Sequence, residues 1–327
     1  MTDRAQLSLF GGAAPSAIGP QAVVTAEQRR IAERLPQNLY FGTSSWTFPG
    51  WAGIVFAGYP SKALLVDRGL EAYARHPLLR AAGVDRSYWA PVPVEEWRRY
   101  ASQTPPEFRT VAKAFSELTT AVFADHARLG ERAGQTNPRF LDPELAMSDV
   151  VRPYLEGMAE RAGPLVLEIA PIPERFLADE RGLHLRMQKL FEALPRDLSV
   201  SVELRTPRLL TPRYLGLLAE HRVGHVLNYW SGMPTPAQQA ALGADRLPGD
   251  LVFRLLQPPG SSYEALLKAY EPFDAIKAPA PALRADAIAI GKRALAEGRR
   301  VFVIVGNKAE GCAPLTVYSM AEEWCAE

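Results

Sequence analysis

From Leu39 onward the chain repeats one pattern: a short apolar or β-branched run, polar residues at its end, then a stretch with helical spacing. The runs predict strands over 40–44, 83–87, 109–114, 165–170, 199–205, 225–229, 251–256 and 301–306. Helical spacing between them covers 62–80, 94–103, 150–161, 183–194, 212–221, 282–297 and 314–324. The clearest strand is 198–207, which alternates with period two. Val200, Val202 and Leu204 share one face, Ser201, Glu203 and Arg205 share the other, and Pro207 stops the run. Eight such units match the length and count of a single (β/α)8 TIM barrel, an α/β fold. A doubly wound open sheet would want a glycine-rich phosphate loop after its first strand. Gly42-Thr43-Ser44-Ser45-Trp46 fits neither form of that loop.

Alternation then sorts inward from outward side chains. Near the C-terminal strand ends the inward set is Trp46, Lys113, Glu168, Glu203, Arg205, Asn228, Arg254 and Asn307, with Asp85 and Tyr88 at the end of the second strand. Barrel enzymes build their sites at that mouth, so a ring of polar tips predicts a site lining. The plainer alternative is that Lys113–Glu168 and Glu203 with Arg205 or Arg254 only neutralise one another as barrel filler.

Several chemistries fit these residue types. The five histidines fall on helices, in an inserted segment or at the wrong end of the sixth strand, which argues against zinc. Mg²⁺ held by Glu168, Glu203 and Asp85 needs only carboxylates and water, and no other cofactor is evident. Glu168 and Glu203 form an acid/base pair by residue type, as in glycosidases, while Lys113 is either a Schiff-base nucleophile or a counter-ion. Lys113, Arg205 and Arg254 could instead clamp a phosphate or carboxylate, with Asn228 and Asn307 as neutral donors. Trp46, Trp51, Tyr88, Trp89 and Trp230 would then offer faces for a base or sugar, or simply pack. No Gly-x-Ser-x-Gly elbow is present, and Cys312 and Cys325 lie outside any nucleophile context. The turn at 307–311 is either an anion nest or an ordinary βα turn.

Charge changes the picture little: 37 basic residues face 36 acidic ones, so any nucleic-acid footprint is confined to the mouth. Two cysteines with no Cys-x-x-Cys, no signal peptide at the start and no apolar run of about 18 residues predict a cytoplasmic protein with no membrane contact.

Residues 1–24, rich in Ala, Gly, Pro and Gln, predict a flexible tail. Its one apolar cluster, Gln6-Leu7-Ser8-Leu9-Phe10, resembles the bacterial sliding-clamp-binding motif. The resemblance makes Gln6 the polar anchor, Leu7, Leu9 and Phe10 the pocket residues, and the clamp the partner. Docking of Leu9 and Phe10 back onto the barrel is the alternative. A helix over 25–36 follows, with Thr25 and Gln28 spaced as a capping box and Pro36 closing it.

Other landmarks carry a wider resemblance. They are Gly42-Thr43-Ser44-Ser45-Trp46 with Pro49 and Trp51, Trp97, Thr104-Pro105-Pro106-Glu107-Phe108, and Lys113 with Thr119 or Thr120. Val202-Glu203-Leu204-Arg205, the Arg254 strand and Asn307 complete the set. Together and in order they resemble the YecE-like family (domain of unknown function 72), from about Tyr40 to Trp324. That implies a TIM barrel over 37–327 but no particular reaction. The chain departs from the family pattern at Gly83 and 85–89, at Glu168 where a Gln is usual, and at Thr206 where a His is usual. An insertion at about 115–149 is long enough to lid the mouth. The combined expectation is a hydrolase-like enzyme of DNA replication or repair, acting on a nucleic-acid or phosphorylated substrate. Its roles would be Glu203, Glu168 and Lys113 in catalysis and Arg205, Arg254, Asn228, Asn307, Trp46, Asp85 and Tyr88 in substrate binding. A non-catalytic module tethered to the clamp and a metal-free carbohydrate-active barrel are the alternatives.

Overall fold

The structure, a computed structural model, describes residues 19–123 and 127–326, side chains of 127–129 excepted. The Gln6–Phe10 peptide lies outside the described residues. Eight parallel strands close into a barrel in chain order. They are β1 (Leu39–Thr43), β2 (Ala81–Val84), β3 (Arg109–Lys113), β4 (Ala162–Ile169), β5 (Val200–Leu204), β6 (Gly224–Tyr229), β7 (Leu251–Leu255) and β8 (Val301–Val305). Closure is made by β1 on β8, with Leu39 opposite Val301 and Thr43 opposite Val305.

Period two explains the two apolar layers. Val200, Val202 and Leu204 face outward into the large core between barrel and helices. Inside the barrel a smaller cluster is built from Tyr40, Ala81, Val111, Val166, Val226, Val252, Phe302 and Ile304. These inward residues fill the lower part of the barrel, so the next inward position on several strands falls at the mouth. Lys113, Glu168, Glu203 and Arg254 occupy those positions.

The second strand corrects the sequence reading. It runs over Ala81–Val84, and the Asp85–Trp89 stretch turns into a short helix, Arg86–Trp89. Four small or mid-sized residues carry little β signal, yet the barrel requires small ones here. A Cβ on Gly42 would stand 2.0 Å from the Ala81 carbonyl oxygen, and one on Gly83 2.9 Å from Ser44 Cα. Helices Tyr263–Tyr270 and Pro236–Ala241 were also absent from the sequence reading.

Residues 21–23, expected in the flexible tail, pair with the chain at 55–57: Val23 N donates to Val55 O and Ala57 N to Gln21 O, both at 2.8 Å. The helix Ala26–Arg34 starts with the expected capping box between Thr25 and Gln28. It packs on the last helix, Ala313–Ala326, where the Cys325 carbonyl accepts from Arg34. In the insertion, Val122 and Thr136 pair antiparallel, and Asn137 Nδ2 donates to the carbonyls of Glu117 (2.5 Å) and Thr120 (2.8 Å). Phe140 meets Phe176 edge-on, which seats this segment beside the exit of β4. Among the described residues no helix is long and apolar enough to cross a membrane.

Candidate anion site at the barrel mouth

Six charged side chains from five strand exits meet at the mouth. Glu168 Oε2 is the hub: Lys113 Nζ and Arg205 Nη2 each lie 2.9 Å from it, and Arg254 Nη1 lies 2.8 Å away. Glu203 pairs with the same two arginines. Arg254 Nη1 donates to its Oε2, and Arg205 Nη2 meets its Oε1 at 2.7 Å without hydrogen-bond alignment. Asp85 Oδ1 accepts from Arg254 Nη2 at 3.1 Å and faces Lys113 Nζ at 4.0 Å. Two aromatic rings back the cations: Lys113 Nζ sits 4.0 Å from the Tyr88 ring centre, and the Arg205 guanidinium 3.9 Å from that of Trp230.

The electrostatics follow from burial and pairing. Burial alone would push Glu168 toward its neutral acid, but Lys113, Arg205 and Arg254 together outweigh it and hold the carboxyl well below its usual range. Arg254 is fully desolvated, which disfavours its charge, yet Glu203, Asp85 and Glu168 more than restore it. A carboxyl held this firmly ionised is no proton donor at neutral pH and a poor base. Glu168 and Glu203 also grip one Arg254 nitrogen, so a cation stands where a glycosidic bond would have to lie. Glu168 is therefore suited to fixing cations rather than to moving protons, and Glu203 is paired with the same two arginines. Lys113, clasped by Glu168, stands as a counter-ion and not as a desolvated Schiff-base amine.

The remaining donors are what make this more than filler. Arg205 is buried, and its Nε and Nη1 have no hydrogen-bond acceptor among the described residues. A buried N–H left unpaired is costly, and an acceptor oxygen supplied from outside would satisfy it. Asp85 is the carboxylate nearest water, its side chain 40% exposed against 13% for Glu168 and none for Glu203. Tyr88 hydrogen-bonds Thr120 of the insertion, and burial followed by the Glu168 charge holds its phenol above the ordinary range. Trp89, 74% exposed, meets Tyr88 edge-on and presents a free face next to the ring of charges.

Two residues expected at the mouth, Trp46 and Asn228, are used elsewhere, and a third, Asn307, in part. Trp46 is buried edge-on against Tyr100, in the core between barrel and helices. Asn228 is locked between strands and helix: its Nδ2 donates to the Leu204 carbonyl (2.8 Å), and its Oδ1 accepts from Gln239 Nε2 (3.1 Å). Asn307 Oδ1 accepts from Ala313 N (2.9 Å) at the start of the last helix and from Trp51 Nε1 (3.3 Å). Its oxygen is taken by the helix cap, while the buried Nδ2, the expected donor, has no acceptor among the described residues. Thr120 is among the landmarks of the resemblance, without a role, while Gln239, which binds Asn228 from a helix, carries no local pattern in the sequence.

For Mg²⁺ the residues do not fit: Asp85, Glu168 and Glu203 each bind cations of the protein itself. Among the described residues no three His, Cys, Asp or Glu are placed to hold a metal ion. Cys312 is buried, which pushes its thiol up to about 12 and leaves it unreactive.

Residues 40–327 match the family described as Protein of unknown function DUF72. The chain belongs to the DUF72 family. A DUF72 protein of Enterococcus faecalis, solved by crystallography, is 16% identical with a TM-score of 0.58, covering 88% of this chain and 96% of that one. A DUF72 protein of Thermotoga maritima is 17% identical with a TM-score of 0.57, covering 87% and 98% respectively. At such identities the likeness concerns the fold alone. No curated protein sequence matches the chain. Like the DUF72 domain itself, the six mouth charges lie within the matched residues.

Proposed function

We propose that this DUF72 barrel is a hydrolase-like enzyme that takes a phosphorylated or nucleic-acid substrate at its mouth. Its Gln6-Leu7-Ser8-Leu9-Phe10 peptide recruits it to the bacterial sliding clamp, and so to DNA under replication or repair. One observation carries the substrate class: Lys113, Arg205 and Arg254 converge from three strands, with Arg205 keeping two buried N–H groups unpaired. Pre-positioned cations of this kind favour the oxygens of a phosphoryl group and the charge that builds on them in transfer. Glu168 and Glu203 hold those cations in place, and Trp89 gives a stacking face beside them. Turnover of the phosphodiester probe bis(p-nitrophenyl) phosphate, with and without added Mg²⁺, tests the chemistry. Arg205→Met should lower the rate about a hundredfold. No turnover of this probe or of a single-stranded oligonucleotide, or equal rates for both proteins, would remove the hydrolase.

The second reading, a non-catalytic module tethered to the clamp, is favoured by the clasping of both glutamates by the protein's own cations. Phosphate binding without turnover would establish it. The recruitment itself is tested with purified clamp and a Leu9→Ala/Phe10→Ala double variant. Loss of binding is expected, and equal binding by wild type and variant would overturn it.

A further inference from the structure

Resting on that anion-site reading, we infer that Asp85 is a built-in occupant of the anion position, which the substrate's anionic group must displace. The six mouth charges cancel: Lys113, Arg205 and Arg254 against Asp85, Glu168 and Glu203. An added anion would leave a desolvated group with excess negative charge, so one carboxylate has to yield when it arrives. Glu203 is fully buried between two arginines, and Glu168 bridges three cations, so moving either strands buried charge.

Asp85 is different on three counts. Its side chain is 40% exposed, so the released carboxylate moves into water and not into apolar surroundings. It is held only by Arg254 at 3.1 Å and by Lys113 at 4.0 Å. Finally, it stands at the N-cap of the Arg86–Trp89 turn yet makes no capping hydrogen bond there. Its backbone there is already helical (φ −73°, ψ −14°), so the side chain is not committed to the first-turn N–H groups. The carboxylate reaches instead from the exit of β2 to β7.

Its departure frees Arg254 Nη2 and Lys113 Nζ toward one spot, a seat for two oxygens of a phosphoryl group. Arg205, with its unpaired N–H groups, shares the same Glu168 hub. The apparent affinity of the wild type is then lowered by the fraction of molecules in which Asp85 holds the seat. Asp85→Asn keeps the shape and removes the competing charge.

Calorimetric titration at constant ionic strength, with inorganic phosphate and with a nucleoside monophosphate, tests this on the full chain. Wild type, Asp85→Asn, Asp85→Ala and Arg205→Met are compared, with circular dichroism as the check on folding. The expected result is phosphate binding about tenfold tighter in Asp85→Asn, and also tighter in Asp85→Ala, should the amide variant fold poorly. Preference for the monophosphate over free phosphate in both variants would assign the seat to an ester. Wild-type binding that is lost in Arg205→Met, with neither Asp85 variant tighter, overturns the role of Asp85 and leaves the anion site standing. Absence of binding by wild type and by both Asp85 variants overturns the two together.

Discussion

The two ends of the barrel use the same ingredients, arginines laid against aromatic rings, to opposite effect. At the N-terminal end Tyr40 stacks on Phe302 with ring centres 4.6 Å apart, Arg80 lies over the first ring and Arg300 over the second. Arg80 gives hydrogen bonds to the carbonyls of Pro36 (3.1 Å), Gln37 (2.7 Å) and Leu39 (3.2 Å), and Arg300 grips Asp250 with two (2.8 and 2.7 Å). At the mouth Arg205 lies over Trp230 in the same manner but leaves Nε and Nη1 without acceptors. An arginine on a ring is thus not by itself a site. The distinction lies in the donors left over after the protein has satisfied its own needs.

Cavity size points the other way. A large cleft of about 910 Å³ lies on the N-terminal side, lined by Asp67, Glu71, Arg75 and Arg99 among others. Its ion pairs include Arg75 with Glu71 at 2.6 Å and Arg99 with Asp67 at 2.9 Å, on exposed or half-exposed side chains. Exposed pairs of this kind are weak and carry no directed chemistry, so the mouth is the better candidate.

The largest effect that would break the comparison is on stability. Arg254→Met strands Glu203 and Glu168 in a dry interior, and should cost about 3–5 kcal/mol in urea unfolding. A loss under about 1 kcal/mol would mean that water already reaches the ring.

Next in size is a pH effect in the shell around the barrel. His225 is fully buried between Tyr214 and Gln239, and burial lowers its pKa to about 4, against a smaller opposing effect of the Gln239 hydrogen bond. The unfolded chain therefore binds a proton on this residue before the folded one does. Its contribution is fully present above the ordinary histidine pKa of about 6.5 and is lost as the pH falls toward 4, by up to about 3 kcal/mol. His225→Gln should flatten that slope without altering phosphate binding. His76, lowered to about 4 chiefly by burial and then by Arg29, adds a slope of the same sign.

The smallest effect belongs to the large cleft. Arg99→Ala should change stability by about 0.5 kcal/mol and leave phosphate binding untouched. A weakened phosphate response would move attention to that cleft.

How much of this could be read from residues alone depends on the range of the interaction. Period-two alternation placed Glu203 opposite Val202 and Leu204 and brought Lys113, Glu168 and Arg254 to the mouth, because strand alternation is a local property. It could not say that Glu168 would bridge three cations, which depends on the closing of the barrel. It failed at β2, whose small residues carry little β signal and where Gly83 leaves no room for a Cβ beside Ser44. Trp46 was misplaced because it lies beyond the end of β1, where alternation stops, whereas Asn228 stands within β6 beside Arg254 and is taken up by the Leu204 carbonyl and by Gln239. Asn307 did carry a signal, an acceptor six residues before the helix whose first N–H it caps, but a loop geometry was needed to use it.

The central claim, that the mouth holds an anion where the opposite end holds none, is tested most directly by paired substitution of the two ring-stacked arginines. Phosphate titration of wild type, Arg205→Met and Arg300→Met at low, fixed ionic strength gives the answer. Wild type and Arg300→Met should bind alike while Arg205→Met loses at least about tenfold in affinity; equal binding by all three proteins would contradict the account.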